Sequence, residues 1–180
     1  RGSPNPLALG EALFPGEISL RERERASELL ALLTGVLDSA GDVVLLHACC
    51  HNPSGFDLNQ DQWRQVLAVV QERGLLPLVD FAYQGFGDGL DIDAFGVRLL
   101  AENLDEMLIT SSCSKNFGLY RERTGCLIVI AKTAEQMENV RSQMAIVARE
   151  NYSTPPSHGA AIVIDILESE DLTQLWKSEL

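Results

Sequence analysis

A lysine set among small hydroxyl residues is the feature of this sequence that could most clearly do chemistry. Lys115 follows a short apolar stretch inside residues 111–125 (SSCSKNFGLYRERTG). Ser112 and Ser114 lie beside it, and Arg123 follows eight positions later. A lysine that leaves a strand end into such a loop can be desolvated, which favours the neutral form that makes a Schiff base with an aldehyde. Serine hydroxyls and an arginine guanidinium suit a phosphate. An aldehyde site beside a phosphate site indicates pyridoxal phosphate, although most loop lysines are merely solvated and Ser-x-Lys alone is a weak signal.

Two further polar segments follow apolar stretches of the chain. Residues 75–86 (LLPLVDFAYQGF) end their apolar part at Asp80, and Tyr83 comes three residues later. Residues 47–55 (HACCHNPSG) open into a turn at Asn52. Ligands of open parallel sheets bind at the carboxyl ends of the strands, so we expect these side chains to converge there with the lysine segment. Each of the three residues also has a structural interpretation. Asp80 could cap a strand end, Tyr83 could be an amphipathic filler, and Asn52 is a common turn residue.

Apolar periodicity predicts alternating strands and helices after the N-terminal region. Helices are predicted over residues 20–39, 60–73, 91–103 and 134–149 and again after a loop at residues 151–156, and strands over residues 43–49, 75–80, 106–111 and 126–131. Only about ten residues separate Lys115 from the last strand, which is too few for a parallel crossover, so that strand is expected to return antiparallel. The pattern predicts an α/β three-layer sandwich with a mostly parallel sheet.

The three motifs together resemble the class I aminotransferases, in particular the branch that acts on aspartate and aromatic amino acids. They occur in the same order and at compatible spacing, and the similarity runs from about residue 26 to residue 180. It implies that residues 26–180 form part of the large, cofactor-binding domain of the fold-type I pyridoxal-phosphate-dependent transferases. Residues 1–25 match nothing in that family and are predicted to form an irregular lead-in.

The resemblance implies a role for each residue of the predicted site. Lys115 would bond to the cofactor and act as the general base. Asp80 would keep the ring nitrogen of the cofactor protonated, while Asn52 and Tyr83 would donate hydrogen bonds to its phenolic oxygen. Lys115, Asp80 and Tyr83 are therefore the implied catalytic residues. The implied phosphate ligands complete the cofactor-binding set: Ser112, Ser114 and Arg123.

Residues 148–156 (ARENYSTPP) resemble a further element of the same family. There, the resemblance implies, Arg149 crosses the interface of a homodimer and binds the distal carboxylate of a dicarboxylate substrate in the partner's site. Asn52 is the second implied substrate contact. Arg149 could instead be an ordinary cation at a helix end. The element also occurs in the aromatic enzymes, so the sequence does not decide between aspartate and aromatic amino acids, with 2-oxoglutarate as the implied amino acceptor.

The sequence also departs from the family pattern. Cys113 stands where an aromatic residue is usual, which removes no catalytic atom. The phosphate loop and the stacking aromatic ring of the family have no counterpart before residue 26, and its α-carboxylate arginine would lie beyond residue 180. The chain is therefore expected to be a piece of the large domain that is weak or inactive alone. Two other hypotheses stay open, a pyridoxal-phosphate-dependent lyase and a truncated, non-catalytic dimerisation module; Arg149 favours transamination over the lyase.

Composition argues against several classes of protein. The net charge of −12, from 26 acidic and 14 basic residues, argues against binding to nucleic acid or to an anionic membrane. No apolar run approaches the roughly 18 residues of a membrane span. The four cysteines form no disulfide framework, which indicates a reducing cytoplasm.

A histidine and cysteine cluster near the first predicted strand suggests a metal site at first sight. His47, Cys49 and His51 alternate along that strand and would share one face. Strand geometry would then place the two histidines about 13 Å apart. Zinc binds its ligands at about 2.0–2.3 Å, so no metal site is predicted and the cysteines are interpreted as buried strand residues.

Overall fold

One sheet and the helices around it make up the computed structural model, which describes residues 40–180. The strands are β1 (Val43–His47), β2 (Leu76–Phe81), β3 (Met107–Ser112) and β4 (Gly125–Ile130). The helices are α1 (Gln60–Arg73), α2 (Phe95–Asn103), α3 (Ala134–Tyr152), α4 (His158–Glu168) and α5 (Glu170–Glu179). The predicted lead-in over residues 1–25 and the predicted helix over residues 20–39 lie outside the described residues.

The strands lie in the order β1-β2-β3-β4. β2 pairs in parallel with β1 and with β3, whereas β4 pairs antiparallel with β3, as the short connection after Lys115 predicted. The α/β class with a mostly parallel sheet is thereby confirmed. The parallel register places His47 opposite Asp80, and Asp80 opposite Thr110. The carboxyl ends of the three parallel strands therefore meet at one edge of the sheet.

Helix α1 has the bounds predicted from the sequence because both of its ends carry strong local signals. The Asn59 side chain accepts a hydrogen bond from Gln62 N at 3.0 Å, and the Gln62 side chain accepts one from Asn59 N at 2.8 Å. This reciprocal capping satisfies two of the unpaired N–H groups at the helix start. Gly74, with φ 63°, ends the helix in the left-handed conformation that glycine adopts without strain.

Helices α1 and α2 pack against one face of the sheet and bury the core. The buried strand residues on this face include Val44, Leu46, Val79 and Ile109. Asp80 alternates to the opposite face. On that face of β1, Val43 and Leu45 are 53% and 61% exposed, so residues 40–180 provide no second helix layer over β1.

Gly96 is expected to be the glycine least tolerant of substitution in the core, because a Cβ at this position would overlap the indole ring of Trp63. Gly96→Ala should lower the free energy of unfolding by about 1 to 2 kcal/mol, since the cost of overpacking exceeds the gain in helix propensity. Urea unfolding followed by circular dichroism measures this loss. If the contact with Trp63 is the cause, adding Trp63→Leu to Gly96→Ala should cost less than the sum of the two single changes. Additive losses would contradict the assignment.

The end of β1 and the start of α2 each differ from the prediction by two residues or more. β1 ends at His47 rather than at residue 49, because Cys50 adopts a positive φ of 49° and turns the chain. α2 begins at Phe95 rather than at residue 91. The side chain of Asp93 accepts backbone N–H groups of the preceding loop, which keeps residues 91–94 in turns.

Helix α3 is longer than predicted and largely exposed. It reaches Tyr152 rather than residue 149, and Ser153, with φ 60°, ends it, so the predicted loop over residues 151–156 begins two residues later. Apolar residues of α3 such as Ile146 and Val147 are 50% and 47% exposed. None of the helices within residues 40–180 is both long and apolar enough to cross a membrane.

Candidate cofactor site

The lysine and the tyrosine singled out in the sequence meet at the carboxyl edge of the sheet. Tyr83 follows β2 by two residues, and Lys115 follows β3 by three. Their loops are adjacent because β2 and β3 pair in parallel. Lys115 Nζ lies 4.7 Å from the centroid of the Tyr83 ring, over its face. Such a contact holds a lysine side chain in one direction while leaving its nitrogen able to react.

Asp80 lies on β2 between the two neighbouring parallel strands, on the face not covered by α1 and α2. One carboxylate oxygen, Oδ1, accepts a hydrogen bond from Ala82 N at 3.1 Å. The structure gives Oδ2 no hydrogen-bond partner among residues 40–180. A half-buried carboxylate with one free oxygen can accept a charged hydrogen bond from a ligand N–H group.

Ser112 and Ser114 form a compact turn directly before the lysine. Ser112 Oγ accepts a hydrogen bond from Ser114 N at 3.1 Å, and the two hydroxyl oxygens lie 3.0 Å apart. Lys115 O accepts from Gly118 N at 2.9 Å, which closes the loop after the lysine. The two hydroxyls are therefore close enough to bind one phosphate together.

Arg123 lies on the return of the lysine loop, but the structure does not bring it into contact with either serine. Its Nη1 donates to Tyr120 O at 3.1 Å, and the side chain is exposed. Its backbone φ of 55° is unusual for a residue with a side chain. The guanidinium has five N–H groups, so donors remain for an anionic ligand.

Asn52 follows β1 at the same edge of the sheet, with its side chain exposed. Its backbone N–H donates to His47 Nδ1 at 3.3 Å, which ties the turn to the end of β1. Arg149 is not brought to this edge by any contact among the described residues. It lies exposed in the last turn of α3.

The predicted separation of the two histidines was wrong. The ring centroids of His47 and His51 lie 4.6 Å apart, because β1 ends at His47 and the following turn brings the second ring back. Burial, and then the electrostatic effect of the neighbouring His47, lower the pKa of His51. Within residues 40–180 no group of three or more His, Cys, Asp or Glu side chains is arranged to hold a metal ion.

The cysteine thiols near the site are poor nucleophiles. Burial, followed by the charge of Asp93, raises the pKa of Cys49. Burial is also the main cause that raises the pKa of Cys50 and of Cys113. A raised pKa favours the protonated thiol, which is a weaker nucleophile than the thiolate.

Two aspartates that the sequence analysis did not single out shape the loops of the site. Asp57 accepts the backbone N–H groups of Cys50 and His51 at 2.6 and 2.9 Å in the turn before Asn52. Asp93 is 6% exposed and accepts backbone N–H groups of the loop after Tyr83, at 2.7 to 3.1 Å. An aspartate next to a Gly-rich loop is a sequence signal for such a role.

The donor set fits pyridoxal phosphate, the cofactor that the sequence predicts. A primary amine, a carboxylate with a free oxygen and two adjacent hydroxyls converge at one sheet edge. These are the groups needed to bond an aldehyde, to pair with a protonated ring nitrogen and to bind a phosphate. Lys115, Asp80, Ser112 and Ser114 would therefore hold the cofactor, with Tyr83 beside the amine.

Comparison with known proteins gives a consistent result. A family model described as Aminotransferase class I and II matches residues 26–180. An aromatic-amino-acid aminotransferase of Pseudomonas aeruginosa is 64% identical over 140 residues, which cover 78% of this chain and 35% of the relative. An aspartate aminotransferase of Escherichia coli is 49% identical over 141 residues, covering 78% of this chain and 36% of the relative. The chain thus spans about a third of the length of these relatives.

Solved structures share the fold. An aromatic amino acid aminotransferase with 3-indolebutyric acid matches with a TM-score of 0.82 at 48% identity, covering 86% of this chain and 39% of that chain. An aromatic-amino-acid aminotransferase from Burkholderia pseudomallei, covalently bound to pyridoxal phosphate, matches with a TM-score of 0.81 at 47% identity, over 86% and 38% of the two chains. These matches agree with the sequence motifs and with the position of the candidate site at the carboxyl edge of the sheet. The chain belongs to the class I and II aminotransferase family.

Proposed function

We propose that this chain is part of a pyridoxal-phosphate-dependent aminotransferase that exchanges amino groups between aspartate or aromatic amino acids and 2-oxoglutarate. Because the chain spans about a third of its relatives, the proposal concerns the longer protein to which it would belong, called here the full-length protein. The observation that carries the proposal is the position of Lys115 Nζ, 4.7 Å over the Tyr83 ring, at the sheet edge that also holds Asp80.

When bound, pyridoxal phosphate would supply an electron sink for the charge that develops at the α-carbon of the amino acid. Asp80 would hold a proton on the pyridine nitrogen, since its free carboxylate oxygen can accept that N–H group. Tyr83 and Asn52 would donate hydrogen bonds to the phenolic oxygen. Lys115 removes the proton from the α-carbon of the substrate, because its nitrogen is the only strong base that the loops after β2 and β3 bring to this edge in the described part of the chain.

The phosphate group is assigned to the turn that precedes the lysine. Ser112 and Ser114, whose hydroxyl oxygens lie 3.0 Å apart, would donate to it, and Arg123 would supply the compensating positive charge. Holding the phosphate at this turn orients the whole ring, because Lys115 is only one residue further along the chain. This positioning is supported by the tight closure of the loop through Gly118.

Aspartate and aromatic amino acids are both proposed as substrates because aminotransferases of both kinds occur among the relatives. The 64% identity to an aromatic-amino-acid aminotransferase and the 49% identity to an aspartate aminotransferase support activity on aromatic amino acids and on aspartate. The exposed apolar side chains of α3, with Arg149 at its end, suit a homodimer in which Arg149 serves the partner's site. The four free cysteines are consistent with the reducing cytoplasm expected from the sequence.

The function is tested by incubating the purified full-length protein with pyridoxal phosphate, 2-oxoglutarate and either aspartate, tyrosine or phenylalanine. Formation of glutamate, measured by a coupled dehydrogenase assay, supports transamination. Release of ammonia or carbon dioxide without glutamate would instead support a lyase or a decarboxylase and would contradict the proposal.

Arg149→Ala is expected to raise the KM for aspartate strongly in the full-length protein. Losing the partner of a buried carboxylate costs about 2 to 5 kcal/mol of binding. Phenylalanine has no distal carboxylate, so its KM should change much less. Arg141→Ala is the matched control, because Arg141 lies on the same helix and binds Glu138 at 2.7 Å on the surface. Equal losses for aspartate and phenylalanine would contradict the role of Arg149.

The 180-residue chain alone is expected to show little or no transaminase activity. The family resemblance implies that the phosphate loop, the stacking ring and the α-carboxylate arginine lie outside residues 26–180, and small misplacements of reacting groups can cost about a hundredfold in rate. The exposed face of β1, with Val43 and Leu45, should also promote self-association. A coupled assay with aspartate and 2-oxoglutarate measures the activity, and gel filtration measures the association. Robust turnover by the isolated chain would contradict this expectation.

A further inference from the structure

The last helix of the chain contacts the lysine loop through one side chain. Trp176, on α5, donates from Nε1 to Asn116 O at 2.6 Å. Its ring also stacks on Phe117, with centroids 4.4 Å apart and an angle of 10° between the planes. Both contacts fall on the two residues directly after Lys115, so one indole fixes both the backbone and a side chain of the loop that carries the lysine.

The side chain of Asn116 continues this connection to the neighbouring loop. Its Nδ2 donates to Gln84 O at 3.3 Å, and Gln84 directly follows Tyr83. Asn116 Oδ1 is buried and has no partner among the residues that the structure describes. A buried carbonyl oxygen without a hydrogen bond is unfavourable. The side-chain amide of Asn116 is therefore held in place by its other contacts, since only one of its two polar atoms is paired.

The loop that receives Asn116 is itself rigid. The Gln84 side chain donates to Leu90 O at 3.0 Å. The buried carboxylate of Asp93 accepts the N–H group of Gly85 at 2.7 Å. The side chain of Leu180, directly after α5, packs so closely on Gly85 that a Cβ there would overlap it. Asn116 therefore connects the loop that carries Lys115 to a well-anchored support.

A cavity of about 430 Å³ lies between α5 and the loop, and its lining includes Lys115, Phe86, Leu175 and Trp176. A loop beside such a cavity loses packing contacts that would otherwise resist its movement. The hydrogen bond and the stacking of Trp176 hold the loop beside this cavity.

We propose that Trp176 and Asn116 are positioning residues for Lys115, and we call the two side chains the indole clasp. The indole clasp keeps the loop at the distance at which Lys115 Nζ lies over the Tyr83 ring. Neither residue touches the reacting atoms. The inference rests on the proposed function, because a fixed lysine matters only if Lys115 reacts with the cofactor and the substrate.

The test uses Trp176→Phe, which keeps the stacking and removes the N–H donor, and Asn116→Ala, which removes the link to Gln84. Trp63→Phe is the matched control, since Trp63 lies on α1, is 2% exposed and packs in the core. Hydrogen–deuterium exchange of the full-length protein without cofactor reports on the Gly118 amide, which donates to Lys115 O. Exchange should become about fivefold to tenfold faster in both clasp variants, the factor that corresponds to one net hydrogen bond.

Two readouts with pyridoxal phosphate complete the test. In both clasp variants the pH midpoint of the absorbance change of the bound cofactor should shift, and kcat should fall by about tenfold to a hundredfold with KM nearly unchanged. Trp63→Phe should lower the melting temperature and leave the exchange of Gly118, the pH midpoint and kcat unaltered. Clasp variants that lose only global stability, or a control that changes all three readouts equally, would overturn the inference.

The test separates this inference from the function on which it rests. If the unaltered full-length protein forms no covalent link at Lys115, the proposed function fails and the inference fails with it. If the link forms and the clasp variants match the unaltered protein in exchange, pH midpoint and kcat, only the inference fails.

Discussion

Lys115→Ala is expected to lower kcat of the full-length protein by at least about 10²- to 10⁴-fold, the range that a positioned acid–base group supplies. The loss follows because the structure brings no second amine to the Tyr83 ring within residues 40–180. Lys115→Arg should be as inactive as the alanine variant, since a guanidinium keeps its charge but does not release a proton near neutral pH. Steady-state kinetics with aspartate and with phenylalanine measures both variants.

A surface lysine provides the control for this substitution. Lys132 binds Asp105 at 3.1 Å and follows β4, whose antiparallel pairing with β3 places it at the opposite end of the sheet from Lys115. Lys132→Ala should retain normal kcat and KM. A Lys115→Ala variant with near-normal kcat would mean that another group carries the proton, and the assignment of the site would be wrong.

Asp80→Ala is expected to lower kcat by about 10²- to 10³-fold, the loss found when one electrostatic contact to developing charge is removed. The cofactor should still bind, because the lysine and the phosphate turn are untouched. Asp80→Asn keeps the shape and removes the charge, so its loss should approach that of the alanine variant. Cofactor content is measured by absorbance, and turnover by the coupled assay.

A modified cofactor distinguishes an electronic role of Asp80 from a structural one. N-methyl pyridoxal phosphate carries a permanent positive charge on the ring nitrogen and should restore part of the activity of Asp80→Ala. Asp91→Asn is the matched control, since Asp91 pairs with Arg98 at 2.9 Å on the surface. No restoration by the methylated cofactor would indicate that Asp80 mainly supports the backbone turn at Ala82.

Local signals account for the parts of the fold that the sequence predicted well. The bounds of α1 follow from Asn59 and Gly74, whose capping chemistry acts within a few residues. The antiparallel return of β4 follows from the length of the lysine loop alone. The convergence of Asp80 with the lysine loop follows from the parallel pairing of apolar strands.

Contacts between distant residues account for what the sequence did not predict. Trp176 lies 60 positions after Asn116, and no spacing rule links an indole on a late helix to a loop carbonyl. The approach of His47 to His51 depends on the conformation of the turn after β1. The apolar pattern predicted β1 two residues too long and so did not indicate this turn. Such features depend on tertiary packing, which a local pattern does not encode.

Covalent labelling of the lysine tests the central claim most directly. The full-length protein is loaded with pyridoxal phosphate, treated with borohydride to convert the covalent link into a stable secondary amine, digested and mapped by mass spectrometry. The account predicts that the label lies on Lys115, and that Lys115→Ala abolishes it while Lys132→Ala leaves it unchanged. A label found chiefly on another lysine, or no label in a folded protein saturated with the cofactor, would contradict the account.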